Sequence, residues 1–153
     1  MFSRDPLADP EAVIKRIYAY CAFRLGDGPD AEDATSDAFE RALRYRSTYD
    51  PRKGSPGAWL IGIARRSVED VLAARPLVTD AASDEPAPER DADLRLDVGA
   101  AVARLDVRDK ELVALRYGAD LKARQIGALL GLETNAVEVA LHRALARLRR
   151  HLT

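Results

Sequence analysis

The sequence predicts an all-α protein of two small helical domains joined by a flexible acidic linker, and three observations carry that prediction. Apolar residues recur at helical spacing over most of the 153 residues, and no run alternates apolar and β-branched residues as a strand would. Capping residues and prolines repeatedly stand where helices should begin, as at Asp9-Pro10 and Ser55-Pro56. Charge is also segregated. Residues 1–75 hold 12 Lys/Arg and 12 Asp/Glu, residues 76–97 hold 2 against 7, and residues 98–153 hold 10 against 6, although the net charge is only −1. The domains read as 1–75 and 94–153, with the linker at 76–93.

Asp9-Pro10 supplies an N-cap and a proline at the first helical position, and the helix it opens carries Val13, Ile17, Cys21 and Leu25 on one face until "GDGP" ends it. A second helix is expected from near Asp30 to about Arg46. Its acids Glu32, Asp33 and Asp37 fall early and Arg41, Arg44 and Arg46 fall late, as the helix dipole favours. "STYDPRKG" is a loop. Ser55-Pro56 opens a long helix to about Ala74, with Leu60, Ile63, Ala64, Val68, Val71 and Leu72 as its apolar stripe. The stretch 76–93 is rich in Pro, Ala and acids, with little to bury. Helices then follow near 94–105, 108–118, 121–130 and 134–151. Gly131 in "GLET" suits the tight turn of a helix-turn-helix. The core of that motif is expected from Leu121, Ile126, Leu129, Leu130 and Leu132 meeting Val137, Leu141, Leu145 and Leu148.

Composition excludes several classes of function. No apolar run reaches the roughly 18 residues that a membrane span needs. The N-terminus lacks the basic-then-apolar order of a signal peptide, which points to a cytoplasmic protein without membrane insertion. One cysteine and two histidines leave neither a disulfide framework nor a metal-ligand cluster, so no metal or cofactor is expected, and Cys21 reads as a buried inert thiol. No nucleophile–base pair or shielded carboxylate dyad stands out, so the chain does not read as an enzyme and no small-molecule substrate is expected. The helix-turn-helix pattern suggests DNA. Arg143, Arg147, Arg149 and Arg150 make the end of the last helix basic, which suits phosphate contacts and equally suits cations at a helix C-terminus.

Two stretches together resemble the extracytoplasmic-function (ECF) class of bacterial RNA polymerase sigma factors, in the sigma-70 family. "DAEDATSDAFERALRYRSTYDPRKGSPGAWLIGIARRSVEDVLA" is similar to region 2 of that family, and "RLDVRDKELVALRYGADLKARQIGALLGLETNAVEVALHRALARLRRHL" to region 4. The resemblance implies a protein that binds core RNA polymerase (its β and β′ subunits) and directs initiation at promoter DNA through a −10 and a −35 element. An anti-sigma factor is then an expected partner. The helix 30–46 would grip the polymerase through Glu32, Asp33, Ser36, Asp37, Phe39, Arg41 and Arg44, with Ser36 where the family favours Gln. The −10 reader would comprise Tyr49, Arg52, Lys53, Ser55, Trp59, Arg65 and Arg66. Such a site needs a pocket, an apolar wall and cations to capture unstacked bases. At helical spacing with Ile63, Trp59 is better read as core than as a stacking platform. Arg66 stands where the family often has Asn.

Region 4 departs most from the family pattern. The −35 contacts would come from Lys122, Arg124, Gln125, Thr134, Asn135, Glu138, His142, Arg143 and Arg147. Glu138, Val139 and Ala140 replace residues that usually grip phosphate, and Glu138 adds repulsion near the backbone. Glu138 could accept from cytosine and Asn135 could pair with adenine, or Glu138 could simply pair with His142 on the surface. Two other readings stay open: a degenerate sigma-like interaction module that binds an anti-sigma factor or polymerase without reading promoters, and a helix-turn-helix repressor with an unrelated helical partner domain.

Overall fold

Helix α1 (Pro10–Leu25) starts as its sequence dictates, with the Asp9 side chain accepting from the Ala12 N–H and proline at its first position. It presents Val13, Ile17, Tyr20 and Cys21 to the interior, the last three fully buried. In the computed structural model residues 5–75 and 94–152 are described, with side chains from Val98 onward in the second stretch, so the predicted linker lies outside the described residues. Gly28 adopts a positive φ of 134° and lets Pro29 open α2 (Pro29–Arg44). That helix buries a stripe of small residues, Ala31, Ala34, Ala38 and Ala42, so its backbone lies close against its neighbours. A short 3-10 turn (Arg46–Thr48) completes the stretch that the sequence assigned to helix as far as Arg46. Ser55 caps α3 (Pro56–Ala74) by accepting from the Ala58 N–H, and Leu60, Ile61, Ala64 and Val68 close the bundle.

The second half comprises α4 (Leu94–Ala103), α5 (Val107–Val113), α6 (Ala123–Leu130) and α7 (Thr134–Leu152). Asp106 caps α5. The expected helix 108–118 is not uniform: its last turn, Ala114–Gly118, is π-helical. Wide turns of this kind re-aim the residues that follow them. Gly131, left-handed at φ 72°, ends α6, and the Leu132 N–H returns to the Gly127 carbonyl at 2.8 Å, which forms the turn of the helix-turn-helix. All described regular elements are helical.

The two halves are not independent bodies. One contiguous buried core runs from Ile17, Ile61 and Val68 into Leu112, Leu115, Leu121, Ile126 and Val137. A smaller cluster of Val102, Leu105, Val113 and Ala144 takes Phe23 of α1 against it. Gly118 permits a close approach of the halves, since a Cβ there would lie 2.9 Å from the Ala19 carbonyl oxygen and 2.9 Å from the Phe23 ring. Leu129, expected in the core of the helix-turn-helix, is half-buried and directed instead toward Gly62 of α3.

Candidate nucleic-acid and polymerase interface

The residues proposed for polymerase contact divide by accessibility. Glu32, Asp33, Ser36 and Arg44 are exposed on α2, and Phe39 is half-buried against the core. Asp37 and Arg41 are engaged within the bundle. Asp37 accepts from the Ser67 hydroxyl at 2.8 Å and pairs with Arg41 at 2.9 Å, while Arg41 also reaches Asp70 at 2.5 Å. The Asp70 carboxylate raises the Arg41 pKa further, so this cation stays charged where it joins α2 to α3. Arg44 pairs with Glu40 at 3.4 Å. Leu43, 49% exposed, shares the outward strip with Glu32, Ser36 and Phe39. Sequence reasoning passed over it, although its spacing from Ser36 and Phe39 was a signal.

The loop between α2 and α3 builds a cleft. Tyr49 and Trp59 meet with centroids 5.6 Å apart at an interplanar angle of 59°, and the Tyr49 hydroxyl donates to the Gly54 carbonyl at 2.9 Å. Trp59 is only partly buried and lines the cleft, so its expected core role is half of what it does. The far wall belongs to the helix-turn-helix: Arg124, Gln125 and Leu129 face Lys53, Ser55 and Trp59 across a cavity of about 570 Å³. Gln125 accepts from the Lys122 N–H at 2.8 Å, which caps α6, and donates to the Ser55 hydroxyl at 3.0 Å. Arg52 is held on Asp50, whose carboxyl it keeps below its ordinary pKa. Arg66 is exposed beside a second groove shared with Tyr45, Arg44 and Ile63.

Arg65 has a different partner. Its Nε donates to Glu111 at 2.5 Å, and the same carboxylate accepts from Arg24 at 3.2 Å. Arg24 also donates to the Tyr20 hydroxyl at 2.7 Å. Glu111 raises the Arg65 pKa, and burial with Glu111 nearby raises that of Tyr20 although Arg24 opposes it. All the buried side-chain polar atoms among the described residues are satisfied.

On α7, Thr134, Asn135, Glu138 and His142 are exposed, while Val137, Leu141 and Ala144 seat the inner face in the core. Glu138 and His142 form no ion pair with each other among the described residues. Arg143 is exposed on the flank. Arg147 is drawn onto Asp109 of α5 at 2.7 Å, and that carboxylate raises its pKa. Arg149, which the sequence did not separate from its neighbours, falls on the same stripe as Glu138 and His142. Lys122, at the N-cap of α6, and Arg124 in its first turn are exposed, with Arg124 at the cleft.

The descriptions of two family models match: Sigma-70 region 2 over residues 11–75 and Sigma-70 region 4 over residues 95–148. The chain is 34% identical to the ECF RNA polymerase sigma factor BldN of Streptomyces coelicolor, over 89% of this chain and 56% of that one. It is 33% identical to the ECF RNA polymerase sigma factor ShbA of Streptomyces griseus, over 85% and 78% respectively. The chain thus spans little more than half the length of the first relative and over three quarters of the second. Among solved structures, it is similar to CnrH in complex with the cytosolic domain of CnrY, at 25% identity and TM-score 0.66, over 95% of this chain and 84% of that one. The fold also matches the sigma factor RpoE in complex with the anti-sigma factor NepR from Bartonella quintana, at 19% identity and TM-score 0.73, over 98% of each chain.

Proposed function

The chain belongs to the sigma-70 family of RNA polymerase sigma factors, in its ECF group, and we propose that it binds core RNA polymerase and directs it to promoters bearing a −10 and a −35 element. Catalysis is then the polymerase's, and this chain acts in the cytoplasm as a specificity factor. The observation that carries the reading is the coexistence of two complementary readers on one chain. One is an aromatic and basic cleft at Tyr49, Lys53, Ser55 and Trp59, with Arg66 on the neighbouring groove; the other is a helix-turn-helix with Thr134, Asn135, Glu138 and His142 outward. An unstacked base needs an aromatic wall and a nearby cation, and the first surface supplies both. Duplex readout needs an exposed helix face that is held by its back, as α7 is. The strip of Glu32, Ser36, Phe39 and Leu43 offers polymerase an acidic and apolar docking face, with Asp33 at its edge and Arg44 farther round the helix. Asp37 and Arg41 shape that face from behind.

An anti-sigma factor is the partner proposed for regulation. The chain shares the arrangement of CnrH, which was solved bound to the cytosolic domain of CnrY. A second reading, an interaction module that no longer reads promoters, is favoured by Glu138 alone, an exposed carboxylate on the reading face. In vitro transcription with core RNA polymerase on randomised promoters separates the two. Enrichment of a −10/−35 pair is the expected result; polymerase binding without any enriched promoter would sink the first reading and leave the second.

A further inference from the structure

The cleft between the loop 49–55 and α6 takes its walls from both halves, and two contacts set their spacing. The Arg16 guanidinium lies over Gly57 at the start of α3, and its Nε donates to the Ala119 carbonyl at 2.7 Å, shortly before α6. Gln125 donates to the Ser55 hydroxyl across the cleft itself. The cavity volume, about 570 Å³, lies within the roughly 300–1,000 Å³ of small-molecule sites. We propose that this cleft binds a nucleoside phosphate, with the base against Tyr49 and Trp59 and the phosphates on Lys53 and Arg124. The inference rests on the proposed base-capturing role of the aromatic wall and adds a free ligand to it.

The lining specifies both parts of such a ligand. Tyr49 and Trp59 are tilted at 59° to each other and only partly buried, so they form a corner that a flat ring can enter. Ala58, Ala128 and Leu129 supply apolar surface beside it. Hydrogen-bond donors are left over as well. The Ser55 hydroxyl accepts from the Ala58 N–H and from Gln125, which leaves its own proton uncommitted, and Gln125 spends one of its two amide protons on Ser55. Lys53 and Arg124 are exposed and form no ion pair among the described residues. Asp50, which also lines the cleft, is already held by Arg52. An aromatic corner beside uncommitted donors and two cations calls for a flat ring that carries acceptors and negative charge.

Neighbouring charge decides between a free nucleotide and a strand. A strand needs cations along the whole path of its backbone. In the adjoining groove Arg41 is held by Asp37 and Asp70, Arg44 by Glu40 and Arg65 by Glu111. Arg66 alone of the arginines there has no carboxylate partner among the described residues. Lys53 and Arg124 thus stand apart from any continuous basic track, one on each wall. Two cations so placed suit the short phosphate chain of a nucleotide better than a polymer.

Trp59 is the single tryptophan of the chain, so its fluorescence reports the cleft directly. Titration of the full chain with each of the four ribonucleoside triphosphates should quench it saturably for at least one of them. Inorganic triphosphate and the matching nucleoside each offer one part of the ligand and should bind at least about tenfold more weakly. Lys53→Ala and Arg124→Ala should each weaken the nucleotide roughly tenfold, through loss of a charge-assisted hydrogen bond. Arg108→Ala removes an exposed cation of α5 outside the cleft and should leave the midpoint in place. Absence of saturable quenching by all four at millimolar concentration overturns the site. Unchanged affinity in the two cleft variants, or an equal loss in all three, overturns it too, as does inorganic triphosphate binding as tightly as the nucleotide. A hexadeoxythymidylate that binds about tenfold tighter than every nucleotide overturns the free ligand in favour of a strand. Failure of promoter reading shows in the transcription assay alone, since this titration contains neither polymerase nor promoter.

Discussion

Glu138 stands exposed on the outward face of α7, one turn after Thr134 and one before His142, on the face proposed to read the duplex. Glu138→Lys should therefore steepen the salt dependence of duplex binding by about one phosphate contact. An unchanged slope in a filter-binding titration would mean that the side chain never approaches the backbone. Arginines on the same helix differ in what they are available for. Arg143 is exposed, so Arg143→Ala should flatten the salt slope by about one and leave the urea midpoint in place. Arg147 satisfies the buried Asp109, so Arg147→Ala should lower the urea midpoint even without DNA. Their separation was invisible in the sequence, because both sit in one basic run and only the position of Asp109 distinguishes them. Cys21 behaved as its apolar face suggested. Burial pushes its thiol from an ordinary 9.0 up to about 11. Above pH 9 the unfolded chain ionises first, so stability should fall as pH rises from about 9 toward 11, and native Cys21 should resist alkylation at pH 8. Rapid labelling of the folded chain would contradict this.

At the scale of elements, the helix starts were legible because the residues that make them are local. Asp9, Ser55 and the prolines after them act within one turn, and both caps form as read. The left-handed glycine at 131 was equally local. The π-helical turn at Ala114–Gly118 was not, because it serves the approach of Gly118 to α1, an element about 95 residues away in sequence. Gly127 shows how packing overrules propensity. Alanine in a helix interior is favoured over glycine by about 1 kcal/mol. A Cβ at 127, however, would lie 2.5 Å from the Leu132 carbonyl, which the turn of the helix-turn-helix holds in place. Gly127→Ala should consequently destabilise the chain by at least about 1 kcal/mol, read as a lower urea midpoint. A midpoint that rises would show that the turn yields.

For the whole molecule, two helical regions were legible in the sequence, whereas the core they share was not. Amphipathic spacing gives each helix an inner face without stating which helix it meets. Leu115, Leu121 and Leu129 look the same whether they fill their own hairpin or reach across to α1 and α3. Because Ile17, Ile61, Leu112 and Ile126 lie in one cluster, thermal unfolding should be a single transition whose calorimetric and van't Hoff enthalpies agree. Two resolved transitions would contradict the shared core. The contact through Arg16 has one more consequence. Its guanidinium lies over Gly57, where any side chain would displace it, and its Nε addresses a backbone carbonyl at Ala119. A carbonyl is present at position 119 whatever residue stands there, so a region 4 transplanted from another member of the family would still meet Arg16. The Glu111 contact asks for one particular side chain. A chimera would thus inherit the generic half of the interface and lose the private half, which makes kinship between the two regions a property that transplantation can measure.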